Sequence, residues 1–137
     1  MTSNFKIIHF TEVHVDGLEL DVHNNYGFLN MNVSNSKSTL TLKKYNEEWV
    51  SKNDPEKLFF NFYNISFFYE EEGDNSEFPE DENTLSSVTF VSESTRDNNE
   101  LLGMNELPDK SDDILFTFEN GKLFRLQCEQ IKLTYET

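Results

Sequence analysis

Alanine, the strongest helix former, is absent from all 137 residues. With Asn, Thr, Phe and Val frequent in its place, that absence argues against a helical protein. Cysteine occurs once, at Cys128, which excludes an internal disulfide and a cysteine-built zinc site. Five glycines leave little material for a loop that cradles phosphate, and no G-x-S-x-G, Walker-type or dinucleotide fingerprint occurs. There is no apolar run of the ~18 residues that a helical membrane span needs. Bases are scarce, 11 against 26 acids, for a net charge of −15. A surface so charged repels phosphate, so nucleic acid is not an expected partner. The apolar patch near the N-terminus is cut short by Thr11-Glu12, unlike the continuous core of a signal peptide. Together with the lone cysteine, this predicts a cytoplasmic protein.

What the chain does have is aromatic bulk, 14% of residues with 13 Phe. Disordered acidic chains lack such bulk, so residues 1–137 are expected to fold, as a single β-rich domain. The charge is regional. Residues 1–68 carry a net −2 and residues 69–137 a net −13. The densest stretch holds Glu70, Glu71, Glu72, Asp74, Glu77, Glu80, Asp81 and Glu82, with no base among them. Gly73, Asn75, Ser76 and Pro79 interrupt regular structure there, so Glu70–Asn83 reads as an exposed acidic loop. Ser94–Asp113 reads as a second, polar loop, with a short helical turn at Glu100–Met104.

Two turns fix strand register. Asp16-Gly17 is a type I′ signal. A two-residue loop there pairs Val15 with Leu18, Val13 with Leu20 and Thr11 with Val22. Val13, Val15, Leu18, Leu20 and Val22 then share one face, and Glu12, His14, Glu19 and Asp21 the other. At Asn120-Gly121 a two-residue loop mixes the faces. A three-residue loop, Glu119-Asn120-Gly121 with Gly121 left-handed, pairs Phe116 with Phe124 and Ile114 with Leu126. Ile114, Phe116, Phe118, Phe124, Leu126 and Cys128 then share a face, while Thr117, Arg125 and Gln127 point away. Ile131, Leu133 and Tyr135 change parity, which predicts a bulge near Glu129-Gln130. Further strands are expected at Gly27–Val33, Ser38–Lys44, Leu58–Tyr69 and Thr84–Ser92, with a short helix within Asn46–Lys57. Leu58–Tyr69 is apolar on both faces and should lie centrally. The sum is an all-β fold: an antiparallel sandwich or partly closed barrel of about eight strands, with at most one or two short helices.

Three constellations could carry chemistry. His14 shares its face with Glu12, Glu19 and Asp21, and His23 lies nearby. This is a candidate metal or acid–base cluster, or simply the solvated face of a hairpin. Cys128 could be a nucleophile, but its face makes it a small core residue. The aromatic run Phe59–Tyr69 has the composition of a stacking platform for single strands, yet three glutamates follow it and core packing explains it better. No cofactor, metal or catalytic residue is therefore assigned. The acidic stretch stands apart. Its carboxylates suit a docking surface for a basic protein, with Phe78 among them as an apolar anchor.

The size, acidity and strand-rich pattern, with the ending Phe116-Thr117-Phe118-Glu119-Asn120-Gly121 through Phe124, Cys128, Ile131 and Leu133, resemble bacterial immunity proteins. These neutralise toxin domains of contact-dependent growth inhibition and other polymorphic toxin systems. The resemblance implies a non-enzymatic cytoplasmic inhibitor that binds one cognate toxin, commonly a nuclease. The expected partner is thus a basic toxin, met by Glu70, Glu71, Glu72, Asp74, Glu77, Phe78, Glu80, Asp81 and Glu82, with the protein a monomer or weak homodimer. Two rival expectations are a metal protein or enzyme using His14, His23 and their carboxylates, and a structural assembly subunit.

Overall fold

The aromatic run becomes one long strand because its two sides have different neighbours to satisfy. A computed structural model describes residues 1–34, 36–74, 83–97 and 105–137. The strands are β1 (Thr2–Ser3), β2 (Lys6–Ile8), β3 (Glu12–Val15), β4 (Leu18–Asp21), β5 (Tyr26–Asn32), β6 (Lys37–Lys44), β7 (Lys57–Glu71), β8 (Leu85–Ser92), β9 (Asp112–Phe118) and β10 (Leu123–Glu136). The larger sheet runs β5-β6-β7-β10-β9-β8, with β1 added in parallel against β10, and β2-β3-β4 form a separate sheet. All other pairings are antiparallel, so the all-β expectation holds.

The larger sheet curls until its two ends meet at one corner. Phe28 N, on β5, donates to Asn83 O just ahead of β8 (2.8 Å). Near the middle of β8, Val88 N donates to Phe10 O, at the turn between β2 and β3 (2.7 Å). The result is a partly closed barrel with the small sheet laid against it. Inner-face residues of both sheets form one core, from Phe5, Val13 and Leu20 to Phe60, Phe116 and Leu126. Phe60 meets Phe5 and Phe116 edge-on, with ring centres 5.4 Å apart in each pair, a geometry that favours the aromatic quadrupoles.

Both turns form as their residues dictate. Val15 pairs with Leu18 and Val13 with Leu20, around Asp16 and Gly17 at φ 51° and 81°. Phe116 pairs with Phe124 and Ile114 with Leu126, with Gly121 at φ 89°. The aromatic strand β7 lies centrally, between β6 and β10. Burial along β10 changes parity between Cys128 and Ile131, as expected. The irregularity itself lies slightly earlier and on the partner: Gln127 faces Phe67 and Cys128 faces Ile65, so Ser66 is the extra residue. Asn64 next to it takes φ 56°, a left-handed conformation that Asn tolerates.

Several expectations are corrected. Asn46–Glu56 forms turns and no helix, and Lys57 already belongs to β7. The acidic loop does not begin at Glu70, because Glu70 and Glu71 are the last residues of β7, held by pairing with Phe124 and Leu123. The polar loop Ser94–Asp113 is too wide at both ends. Ser94 and Thr95 lie in a 3-10 turn, and Asp112 and Asp113 open β9. The helical turn expected at Glu100–Met104 lies outside the described residues. β1 and β2 carry no turn signal and are found only in the fold. Among the described residues no helix is long and apolar enough to cross a membrane.

Arg125 does leave the core face, but the side it turns to is not water. Its side chain is 1% exposed beside Asp113 at 0%. Arg125 Nε donates to Asp113 Oδ2 (2.7 Å), and Arg96 reaches the same carboxylate through Nε (2.9 Å) and Nη2 (2.8 Å). Arg125 also donates to Ser92 O and Thr95 O. Arg96 in turn lies 3.8 Å above the Phe67 ring. One carboxylate thereby ties the 3-10 turn over the outside of the sheet.

Candidate partner-binding site

The acidic rim is built by β-pairing. Pairing with β10 carries β7 out to Glu71, past the last residues that pack on the core. Beyond it, Asp74 N donates to Asn120 O (2.8 Å) and fastens the segment to the β9–β10 turn. Gly73 runs so close to that turn that an added Cβ would lie 2.3–2.6 Å from the Asn120 amide. Glu70, Glu71, Glu72 and Asp74 are all exposed. Glu71 accepts from the Tyr69 hydroxyl, and that bond raises the phenol's pKa.

Between this rim and β5 lies a groove of about 450 Å³, lined by Phe28, Leu29, Glu70, Glu72, Asn120 and Lys122 among others. Phe28 packs against Phe118 and Phe124, with ring centres 5.3 and 5.8 Å away. Lys122 Nζ stands 4.5 Å over the Phe28 ring, an ammonium held by an aromatic face. Leu29 is 50% exposed at the edge. The groove therefore joins an aromatic floor, capped by Lys122, to the carboxylates of Glu70 and Glu72. Of the residues expected to contact a partner, Glu70 and Glu72 line the groove, while Glu71 and Asp74 are exposed on the same rim outside its lining. Glu77, Phe78, Glu80, Asp81 and Glu82 lie outside the described residues. The groove residues Phe28, Leu29 and Lys122 had no sequence signal, since they come from β5 and the β9–β10 turn, remote in the chain from the acidic stretch.

The histidines separate. One ligand atom each from Glu12, His14 and Glu19 lies within 4.8 Å of the others, so among the described residues these three are the ones able to hold a metal. His14 Nε2 is 3.2 Å from Glu12 Oε1, yet it is sealed from solvent and not oriented to hydrogen-bond. Lys6 pairs directly with His14 from β2 and so shares that face, placing a positive charge where a cation would enter. Asp21 is spent elsewhere, accepting from His23 N and Asn24 N. His23 is not part of the cluster: its Nδ1 lies 2.6 Å from Leu85 O and 3.8 Å from Glu119.

Cys128 is buried in the core, and desolvation pushes its thiol up to about 11, the opposite of nucleophile activation. The folded thiol keeps its proton to higher pH than the unfolded one. This contribution to stability is complete below pH 9.0 and is lost as pH climbs through about 11. Native protein at pH ~8 is accordingly expected to resist iodoacetamide while denatured protein reacts. Equal labelling rates would contradict the buried placement.

The aromatic run divides. Phe60 and Phe62 are buried in the core, whereas Phe59, Tyr63 and Phe67 are only half-buried on the other side. Core packing therefore accounts for part of the run only. No protein-family model matches the chain, and no curated protein and no solved structure matches it either.

Proposed function

We propose that this is a non-enzymatic binding protein whose acidic rim docks a basic protein, and that it acts in the cytoplasm as an immunity protein. It would neutralise a cognate toxin, of nuclease type, by direct binding. The observation that carries the reading is the exposed acidic rim Glu70, Glu71, Glu72 and Asp74, of which Glu70 and Glu72 line a groove beside Phe28 and Leu29. A nuclease must present cations to phosphate, and a ring of carboxylates competes for those same groups. The long-range field speeds encounter, while the groove contributes the short-range fit.

The test is kinetic. A partner is captured from the native host, identified, and its association measured with the purified protein between about 0.05 and 0.3 M salt. The on-rate is expected to fall steeply with salt. The quadruple substitution Glu70→Gln, Glu71→Gln, Glu72→Gln, Asp74→Asn is expected to slow association by at least about tenfold, with a smaller change in dissociation. An on-rate indifferent to both salt and substitution removes the rim from the interface.

A further inference from the structure

The two edges of the larger sheet are treated differently. β8 is covered: Val88 N donates to Phe10 O, and Ser92 O accepts from Arg125. Among the described residues, β5 is covered only at its start, where Phe28 N meets Asn83 O. From Leu29 to Asn32, no hydrogen bond outside the β5–β6 ladder is made with any described residue, by backbone or side chain. An open edge of this kind is a template for another strand. Of the usual protections only a bulge is present. β5 reads Tyr-Gly-Phe-Leu-Asn-Met-Asn, without Lys, Pro or an inward charge, and carries only the register shift between Phe28 and Asn30. Its side chains are sticky where they should be polar: Leu29 is 50% exposed and Val33, just past the strand, 56%.

We infer that the Leu29–Val33 edge pairs with the same edge of a second copy of this chain, as an antiparallel strand pair about a two-fold axis at Met31. The first reason is self-complementarity. An axis at Met31 sets Leu29 opposite Val33 of the other copy, and does so twice, so four exposed apolar side chains are covered in two cross-strand pairs. Asn30 then faces Asn32 of the other copy, a pairing of exposed neutral groups. The second reason is charge. Two copies at −15 repel, but Val22 to Asn46 contain no acid and three lysines. The β5–β6 flank is thus a side by which two copies approach without setting carboxylate against carboxylate. The paired edge is short, so the dimer is weak and fills at high concentration. Because the contact is isologous it closes on itself and does not propagate into fibres.

Sedimentation of the full chain from about 10 µM to 1 mM, at about 0.05 and 0.5 M salt, tests this. A monomer–dimer equilibrium is expected that tightens with salt, because screening relieves the repulsion between two acidic bodies. Association that weakens with salt would mean acidic rim on basic flank and would overturn the proposal, as would a monomer throughout. Asn30→Lys with Asn32→Lys sets lysine against lysine in this register and is expected to weaken the dimer at least tenfold. Both positions are exposed, so the fold survives, which circular dichroism verifies. Mixing that variant with Asn30→Glu, Asn32→Glu is expected to restore association above that of either alone. A lysine variant that dimerises as well as the parent, or a mixture with no gain, would assign the contact to another surface.

Discussion

Asp113→Ala is expected to lower the unfolding free energy by about 3–5 kcal/mol, the usual consequence of removing one member of a buried ion pair. Asp113 is fully buried and receives three charge-assisted bonds from Arg96 and Arg125. Without it, Arg125 loses its carboxylate, and Arg96 keeps only Glu93, 4.0 Å away. Arg96, 30% exposed, can swing to water, whereas Arg125 cannot hydrate unless the Ser92–Thr95 turn lifts off the sheet. Most of the loss therefore falls on Arg125. The cost comes from an orphaned charge rather than from a lost attraction. Asp113→Leu combined with Arg125→Met is accordingly expected to recover much of the stability lost in Asp113→Ala. Urea unfolding of the three proteins measures this. A single-mutant loss below about 1 kcal/mol would mean the site hydrates freely.

Phe116→Ala is the second large effect, also about 3–5 kcal/mol. Phe116 is fully buried on β9 and meets the rings of Phe60 and Phe62, at 5.4 and 6.0 Å. The small remainder would leave a cavity walled by two rings of β7 in a curled sheet, which cannot collapse to fill it. Phe59→Ala, on the half-buried outer side of β7, is expected to cost clearly less. Equal losses at Phe59 and Phe116 would mean that the two sides of β7 are buried alike. The denaturant slope should be unchanged in both, since neither alters how much surface unfolding exposes.

The contrast between those two positions shows how far the sequence could be read. Both hairpins were legible because Asp16-Gly17 and Gly121 supply left-handed backbone at fixed places, and alternation does the rest. The two sides of β7 were not separable, since Phe59 and Phe60 look alike until neighbours are known. Asp112 and Asp113 read as loop because isolated acids favour water. Asp113 is buried because Arg125 arrives from β10 and Arg96 from the end of the 3-10 turn, and Asp112 because it accepts from Asp109 N; none of these partners is visible in the local pattern. β1 and β2 are two and three residues long, too short for any periodicity. The acidic rim was legible as charge but not as shape: β10 draws Glu70 and Glu71 into a strand, and Phe28 and Leu29 come to the groove from β5.

The pairing of β1 with β10 joins Thr2 to Gln130 and Ser3 to Ile131. A ribosome releases those partners almost a full chain length apart in time. β1 must wait for β10, so this parallel pairing forms only after the intervening strands are made. Rapid, local assembly gives way here to a slow search over a large loop. Until β10 is made, the aromatic strand β7 has only β6 beside it.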